Sequence, residues 1–571
     1  MLVLRVAICI TTRMKTLKSE LLMPAGSLAK LKTAVLYGAD AVYLGTPDMS
    51  LRTKAEFTLE QIREGIEYAH DNNTRVYLTL NLFSHNKDVP KLEEYVTTIK
   101  EIKPDGVIIA DPGVFQFVKH HAPEISLHIS TQSNVCSWLS VKFWEDLGAD
   151  LCVLAREVSY AELCEIREKC PNIKLETFVH GAMCMTYSGR CLLSNFMAER
   201  GANQGNCANS CRWGYKVHLK LRDGNVQELE INESNVDMFE FLLEEGARPG
   251  EFMPIEETEH ESYILNSKDL CLMPKLDQYL ELGIDSLKIE GRNKSVYYVA
   301  VVARIYRRAM DDWARDPENW NPKPYMDELM NVSNRGYTLA FHDGRLTNYA
   351  HNYEQTQTIG EWEFAGIITE LSDDAIHMEV KNKMIAGDVL EFLPPDGGET
   401  ILIRLYEFEN IKNGEVKDQI SAGTKPIIRI PFDLFDQEDI TRLKARLPQM
   451  TVVRKETPLT KTQWNRLKLD REAQRLEVTG KTENPVQPLY EKKRQALRET
   501  LQEADKTRKI KSPRIGLDTC CGRGCNGCLM FWHDPAYEKA REIMATKKQG
   551  ETLDWDMRDK TTSANRVIAA E

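Results

Sequence analysis

Short runs of apolar and β-branched residues recur through the first 291 residues and alternate with amphipathic stretches of helical length, such as LEEYVTTIKEI. This alternation is typical of βαβ units and a parallel sheet. Eight runs favour an α/β fold with a closed, TIM-like (β/α)8 barrel; an open doubly wound sheet is the alternative. The runs are LLMPAG (21–26), AVYLG (41–45), VYLTLN (76–81), GVIIAD (106–111), LHISTQ (127–132), LCVLARE (151–157), LETFVHG (175–181) and SLKIEG (286–291).

The carboxyl ends of these strands are the predicted location of the active site, because the loops that follow the strands build it in such barrels. A long insertion, roughly 182–265, leaves from one of these ends, directly after His180. Its cysteines are therefore expected over the mouth of the barrel. Each polar residue at a strand end has a structural alternative, as a helix cap or an ion pair. These residues are Asn81, Asp111, Gln132, Arg156, Glu157, His180, Glu290 and Arg292.

Composition divides the rest of the chain into further segments. An N-terminal extension of residues 1–19 precedes the catalytic domain at 20–325. Short strands with closely spaced turn signals predict a small antiparallel β-barrel at 331–435. A basic, mostly helical segment at 441–514 and a cysteine-rich tail at 515–571 complete the predicted organisation.

The basic segment stands out against an acidic protein of net charge −12, because it holds 20 Lys/Arg and only 9 Asp/Glu. Such a segment suits contact with a polyanion such as RNA. A solvated helix with interspersed charges is the alternative.

The whole-chain composition predicts a cytoplasmic protein with no membrane segment. Of its 571 residues, 42% are hydrophobic and 28% are charged, as in globular proteins. No apolar run reaches the roughly 18–20 residues that span a bilayer. The apolar start MLVLRVAICI lacks a basic leader and a cleavage site. Met1 and Met14 are both candidate start residues.

Cysteines concentrate in two groups, which predict metal or iron–sulfur chemistry rather than disulfides in a chain without a secretory signal. The spacings in the insertion suit a cluster wrapped by a long loop, although a structural zinc site would also use four thiolates. The spacing of the tighter C-terminal group, CCGRGCNGC, fits an iron–sulfur cluster and a zinc ion equally well. The first group is Cys184, Cys191, Cys207, Cys211 and Cys271, and the second is Cys520, Cys521, Cys525 and Cys528.

Several long motifs resemble those of the family known as collagenase-like peptidases. The run ETFVHGAMCMTYSGRCLLSN (176–195), followed by NQGNCANSCRW (203–213), is similar to the signature of that family. NSKDLC (266–271) and DSLKIEGRNKSVYYVA (285–300) also fit it. The resemblance runs from about residue 20 to 435 and leaves out the basic segment and the tail.

The resemblance implies a 4Fe–4S cluster held by four cysteines. Carried onto this chain, the ligands are Cys184, Cys191, Cys207 and Cys271, with Cys211 competing with Cys207 for the third position. The C-terminal group would hold a second iron–sulfur cluster or a zinc ion.

The resemblance further implies an oxygen-independent RNA hydroxylase that converts the wobble uridine of tRNA to 5-hydroxyuridine. Prephenate would be the hydroxyl source or its precursor, and an electron-transfer partner would be needed. The carboxylates of prephenate would pair with Arg156, Arg190 and Arg292, since guanidinium binds carboxylate in a bidentate manner. His180 and Glu290 would move protons.

A base splayed out of the anticodon loop would stack on Tyr187 or Trp213. The small β-barrel and the basic segment would hold the tRNA body.

Two alternatives to the hydroxylase stay open. A collagenase-like peptidase would use a Cys/His pair, Cys184 with His180, since the sequence has no HExxH helix and no GxSxG elbow. The other alternative is a non-catalytic RNA-modification factor that carries a cluster.

Overall fold

The structure is a computed structural model that describes residues 17–45, 57–81, 84–86, 88–183, 267–344, 361–435 and 439–457, together with the backbone of short strands between residues 218 and 263. The predicted cysteines of the insertion, most of the basic segment and the tail lie outside these described residues. No helix in the described part is long and apolar enough to cross a membrane.

The eight predicted strands form a closed parallel barrel. Each strand pairs with the next, and β14 pairs with both β7 and β1, which closes the sheet. The predicted barrel is therefore confirmed and the open sheet is excluded. The strands are β1 Glu20–Ala25, β2 Ala41–Gly45, β3 Arg75–Leu80, β4 Gly106–Ile109, β5 Ser126–Ile129, β6 Leu151–Val153, β7 Lys174–Ala182 and β14 Ser286–Ile289.

Helices cover the outside of the barrel and bury the outward strand residues, among them Leu21, Val42 and Leu78, in one large core. Polar residues cap the start of several of these helices; Thr58 before α2 and Ser159 before α6, for example, form capping boxes. The helices are α1 Leu28–Leu36, α2 Leu59–Asp71, α3 Val89–Ile102, α4 Pro112–His121, α5 Trp138–Asp146, α6 Tyr160–Lys169, α7 Leu276–Glu281, α8 Val296–Arg315 and α9 Lys323–Leu329.

The segment between β7 and β14 contains short strands. The first two pair with each other and the next three form an antiparallel sheet. They are β8 His218–Lys220, β9 Val226–Glu228, β10 Phe241–Glu244, β11 Phe252–Glu257 and β12 Ser262–Tyr263. A further strand, β13 Asp269–Cys271, pairs antiparallel with the end of β7 and parallel with β15 Tyr337–Thr338.

A second, antiparallel sheet follows the barrel and confirms the predicted small β-domain. It is a half-barrel in the order β20-β19-β25-β16-β17-β24-β21-β22, with a separate β18–β23 pair. Its edge strand β22 is short, charged and exposed, which suits an unpaired edge. The strands are β16 Trp362–Leu371, β17 Ala375–Val380, β18 Met384–Ile385, β19 Val389–Phe392, β20 Ile401–Arg404, β21 Phe408–Asn410, β22 Glu415–Lys417, β23 Gln419–Ile420, β24 Ile427–Pro431 and β25 Val452–Glu456.

The first described residues of the segment predicted to be basic and mostly helical form a helix and then a strand. Helix α10 Ile440–Arg446 is followed by β25, which lies between β19 and β16. The run VVRKE forms a strand because both of its edges pair and its first four residues are buried. The predicted boundary at residue 441 therefore cuts through the β-domain.

Polar contacts fix the half-barrel to the barrel. The Tyr37 hydroxyl donates to the Leu393 carbonyl at 2.8 Å and accepts from the Val452 amide at 3.0 Å. Buried Arg454 bonds Glu391 on β19 at 2.6 Å and Glu328 on α9 at 2.7 Å. These buried contacts hold the two parts in one arrangement.

Candidate active site at the carboxyl end of the barrel

An arginine and a glutamate meet across the mouth of the barrel. The Arg156 guanidinium, just after β6, lies 3.9 Å from a carboxylate oxygen of Glu290, just after β14. It also stacks over the Phe178 ring of β7 at 3.7 Å. The carboxyl ends of parallel strands share one edge of a barrel, so distant sequence positions converge there.

Tyr43 connects this pair to a second arginine. Its hydroxyl lies 3.2 Å from the Glu290 carboxylate and 3.0 Å from the Ile289 carbonyl. The Arg292 guanidinium is 5.7 Å from the Tyr43 ring and donates to the Thr79 hydroxyl at 3.1 Å. Three of the five predicted catalytic residues are thus grouped around one buried tyrosine.

Close backbone packing positions the loop that carries Glu290 and Arg292. A Cβ atom on Gly26 would lie only 2.1 Å from the Arg292 carbonyl oxygen, so this approach requires glycine. Lys30 Nζ donates to the same carbonyl at 3.2 Å, and the Tyr298 hydroxyl donates to the Glu290 carbonyl at 2.9 Å. The loop is therefore held from both sides.

A buried ion pair that the sequence analysis missed lies in the barrel lumen below this group. Lys288 Nζ bonds Glu176 at 2.6 Å, and Glu176 also accepts from the Ser286 hydroxyl at 2.9 Å. Lys288 Nζ lies 4.4 Å from the centre of the Tyr43 ring. The signal was present in SLKIEG, where Ser286, Lys288 and Glu290 alternate with apolar residues and so share one face.

The opposite end of the lumen is also polar. Glu20 pairs with Arg75 at 2.5 Å and accepts from the Tyr77 hydroxyl at 3.0 Å. Burial raises the pKa of the Glu20 carboxyl. The His128 ring packs on Tyr77 at 4.6 Å, and burial lowers its pKa to about 3, so the imidazole is neutral. Charged and polar side chains thus extend through the whole barrel.

His180 faces away from the lumen, toward the surrounding helices. The ladder pairs Lys288 with Phe178 but Ile289 with His180, so β7 has one extra residue at this point. Because of this irregularity, the His180 side chain points outward, as that of Ile289 does. Its ring lies 5.3–6.1 Å from the rings of three tyrosines, Tyr298, Tyr306 and Tyr337. The structure therefore separates His180 from Arg156, Glu290 and Arg292.

Cys271 is the predicted cluster ligand that lies within the described residues. It is paired across the strands with His180, and its sulfur lies 3.9 Å from the Tyr306 hydroxyl and 3.6 Å from the Met326 sulfur. Burial raises the pKa of its thiol to about 12, so the uncomplexed side chain is a neutral thiol. A soft thiol at this end of the barrel has the donor chemistry of an iron–sulfur ligand, and a bound metal would favour the thiolate.

The other predicted site residues have different positions. Asp111 caps α4, because its carboxylate accepts hydrogen bonds from the amides of Gly113 and Val114. It therefore has the structural role of a helix cap, which was the alternative to a role in the active site. Gln132 is buried in a short 3-10 turn, and Asn81 is buried directly after β3. Further predicted residues lie outside the part of the chain that the structure describes. These are Cys184, Tyr187, Arg190, Cys191, Cys207, Cys211, Trp213, Cys520, Cys521, Cys525 and Cys528.

The buried histidines predict acid lability. Burial lowers the pKa of both His128 and His180 from 6.5 to about 3, so the unfolded chain binds more protons in that interval. Stability contributed by the neutral imidazoles is present above pH 6.5 and is lost as the pH falls toward 3. Each histidine contributes a slope of up to about 1.4 kcal/mol per pH unit.

We expect His180→Gln to reduce this slope of the free energy of unfolding between pH 4 and 6, measured by urea denaturation. His120→Gln, which removes an exposed imidazole from α4, is the matched control. An unchanged slope in His180→Gln would contradict the neutral buried state.

A parallel barrel with charged side chains gathered at its carboxyl end has the construction of a barrel enzyme. The chain belongs to peptidase family U32: residues 26–352 match the sequence profile of that family. Residues 360–442 match the profile of the peptidase family U32 C-terminal domain.

Relatives in this family carry names that refer to RNA. The tRNA hydroxylation protein P of Escherichia coli is 39% identical over 440 residues, which cover 73% of this chain and 95% of that protein. The protein of the same name from Haemophilus influenzae is 38% identical over 441 residues, which cover 73% of this chain and 94% of that protein. The 23S rRNA 5-hydroxycytidine C2501 synthase of Escherichia coli is 28% identical and covers 66% of this chain and 52% of that protein.

Proposed function

We propose that this protein hydroxylates tRNA, forming 5-hydroxyuridine at the wobble position without molecular oxygen. The observation that carries the proposal is the 39% identity to a tRNA hydroxylation protein across 95% of the length of that protein. The more distant similarity to an rRNA hydroxycytidine synthase supports hydroxylation of a pyrimidine as the shared chemistry.

The mouth of the barrel is suited to an anionic small molecule beside the target base. Prephenate, as the hydroxyl source or its precursor, would place its carboxylates against Arg156 and Arg292, with Arg190 as a third candidate. Contacts orient both of these guanidinium groups: that of Arg156 stacks on the Phe178 ring, and that of Arg292 donates to the Thr79 hydroxyl. Glu290, held by Tyr43, would accept or return a proton.

The proposed cofactor is a 4Fe–4S cluster held by Cys184, Cys191, Cys207 and Cys271. The chemistry that such a bound cluster supplies is electron transfer, in exchange with a partner protein. His180 and Tyr306 would orient the Cys271 side chain, since His180 is its partner on the neighbouring strand and the Tyr306 hydroxyl contacts its sulfur. The C-terminal cysteines would hold a second cluster or zinc.

The tRNA would present its anticodon loop to the mouth, because a single-stranded loop releases a base at modest cost. Tyr187 or Trp213 would stack on that base, and the half-barrel and the basic segment would contact the tRNA body. Binding of tRNA should then weaken with added salt.

Mass spectrometry of tRNA nucleosides from a strain lacking the gene tests this function. We expect 5-hydroxyuridine and nucleosides derived from it to disappear, and to return when the full chain is supplied. Persistence of the nucleoside in a strain that also lacks every paralogous family member would overturn the proposal. Iron and sulfide counting on anaerobically purified protein separates a cluster enzyme from a metal-free hydrolase.

Tyr43→Phe is expected to lower tRNA modification by roughly tenfold or more, because the Glu290 carboxylate loses a partner at 3.2 Å while the ring remains. Tyr77→Phe is the matched control, since it removes a buried hydroxyl from the other end of the same lumen, where it bonds Glu20. Nucleoside analysis of complemented deletion strains measures both variants. Equal losses in the two variants would show a general packing effect and contradict the positioning role of Tyr43.

A further inference from the structure

The side chain of Asn81 is buried near the mouth of the barrel. Asn81 follows directly after β3 and is only 8% exposed. Its Oδ1 is buried and has no hydrogen-bond partner among the residues that the structure describes. Buried polar atoms are normally satisfied, so such an atom in a native protein calls for a reason.

The alternation of β3 directs this side chain into the barrel. Val76, Leu78 and Leu80 belong to the core between the barrel and the helices, while Tyr77 lies in the separate cluster of the lumen. Thr79 is on the lumen side too, because its hydroxyl bonds Arg292. Asn81 continues this face about 7 Å further toward the mouth, given ~3.3 Å of rise per residue.

Asn81 lies on the same side of the barrel as the residue that binds Arg292. Thr79, two residues before Asn81 on the same face, accepts a hydrogen bond from the Arg292 guanidinium. Glu290 and Arg156 lie at the same end of the lumen. A ligand whose carboxylate binds Arg292 would therefore bring its neighbouring atoms to Asn81. An amide oxygen accepts a hydrogen bond, so it matches a hydroxyl or N–H donor on that ligand.

We propose that Asn81 is a ligand-recognition residue of the barrel mouth: its Oδ1 accepts a hydrogen bond from a hydroxyl or N–H group of a small carboxylate ligand bound by Arg292. The inference rests on the proposed function for the choice of prephenate, which carries both carboxylates and a secondary hydroxyl, as the probe. The ligand would supply the donor that the Asn81 Oδ1 lacks among the described residues. A site that is built to bond a hydroxyl discriminates strongly against molecules that lack one.

This role predicts opposite effects on stability and on binding. Asn81→Leu keeps the branched shape and removes the unsatisfied oxygen. We expect the Tm of the unliganded full-length protein to equal or exceed that of the wild type, since the Asn81 side chain makes no hydrogen bond to the residues that the structure describes. Prephenate binding, followed by calorimetry and by the Tm shift that it induces, is expected to weaken by about tenfold or more.

Two further variants complete the test. Asn81→Asp keeps the acceptor but places a negative charge beside the carboxylate, so it should also weaken prephenate binding. Asn72→Leu changes an exposed amide after α2 and should leave binding unchanged. Wild-type prephenate affinity in both Asn81 variants would overturn the proposal, as would a lower Tm with an unchanged ligand-induced shift. Absence of prephenate binding to the wild type would overturn it as well, whatever nucleoside analysis shows about hydroxylation.

Discussion

Replacing Cys271 with alanine is expected to lower the iron content of the anaerobically purified protein by the iron of the 4Fe–4S cluster and to reduce 5-hydroxyuridine to the level of the deletion strain. A cluster held by four cysteines loses one of its iron ligands in this variant, because the methyl group of alanine cannot bind iron. The surrounding packing would lose only a small side chain. The expected result is therefore a folded protein without this cluster and without activity.

Cys152→Ala is the matched control, because Cys152 is a fully buried free cysteine of β6 in the same barrel. Both variants create a cavity of similar size, so both should show a similar small decrease in Tm. Iron content and tRNA modification should fall in Cys271→Ala alone. Retention of iron and activity by Cys271→Ala would refute its assignment as a ligand, and equal loss in both variants would point to a folding defect.

Replacing Lys288 with methionine is expected to destabilise the protein by about 3–5 kcal/mol, the typical cost of leaving one partner of a buried ion pair uncompensated. Glu176 has no exposed surface, and Lys288 is its cationic partner at 2.6 Å. The Ser286 hydroxyl donates to the same carboxylate but carries no charge. Urea denaturation of the wild type and the variant measures the difference in free energy of unfolding.

The double variant Lys288→Met/Glu176→Gln is the control, since it removes both charges and keeps a group that bonds Ser286. It should recover most of the stability that Lys288→Met loses. If the single and double variants were equally unstable, the loss would come from altered packing beneath Tyr43 rather than from an unpaired carboxylate.

The barrel could be predicted because each strand is a compact apolar run that is buried on its outward face. The convergence of Arg156, Glu290 and Arg292 follows from the same rule, since the carboxyl ends of all parallel strands meet at one edge. The ion pair of Lys288 and Glu176 was missed, although its residues alternate with apolar neighbours, because barrel interiors are usually filled with branched apolar side chains.

Two other features depend on pairing partners far away in sequence. An irregularity in the pairing of β7 with β14 determines which side of the sheet His180 faces. The alternation of side chains along a single strand does not reveal such an irregularity. Strand β25 is a run of five residues that is stabilised by its neighbours β19 and β16. The basic composition of the surrounding residues predicted a helix, but pairing with these two neighbours makes the run a strand.

Both sheets are completed by strands that the ribosome makes late. The barrel closes when β14 pairs with β1, near the beginning of the chain, and the half-barrel gains an inner strand when β25 inserts between β19 and β16. Until each of these strands has emerged, the growing chain exposes unpaired strand edges, which makes it prone to aggregation. Pairing across such long separations in sequence also slows folding. Nascent chains of this protein should therefore depend on chaperones more than chains whose sheets are built from consecutive hairpins.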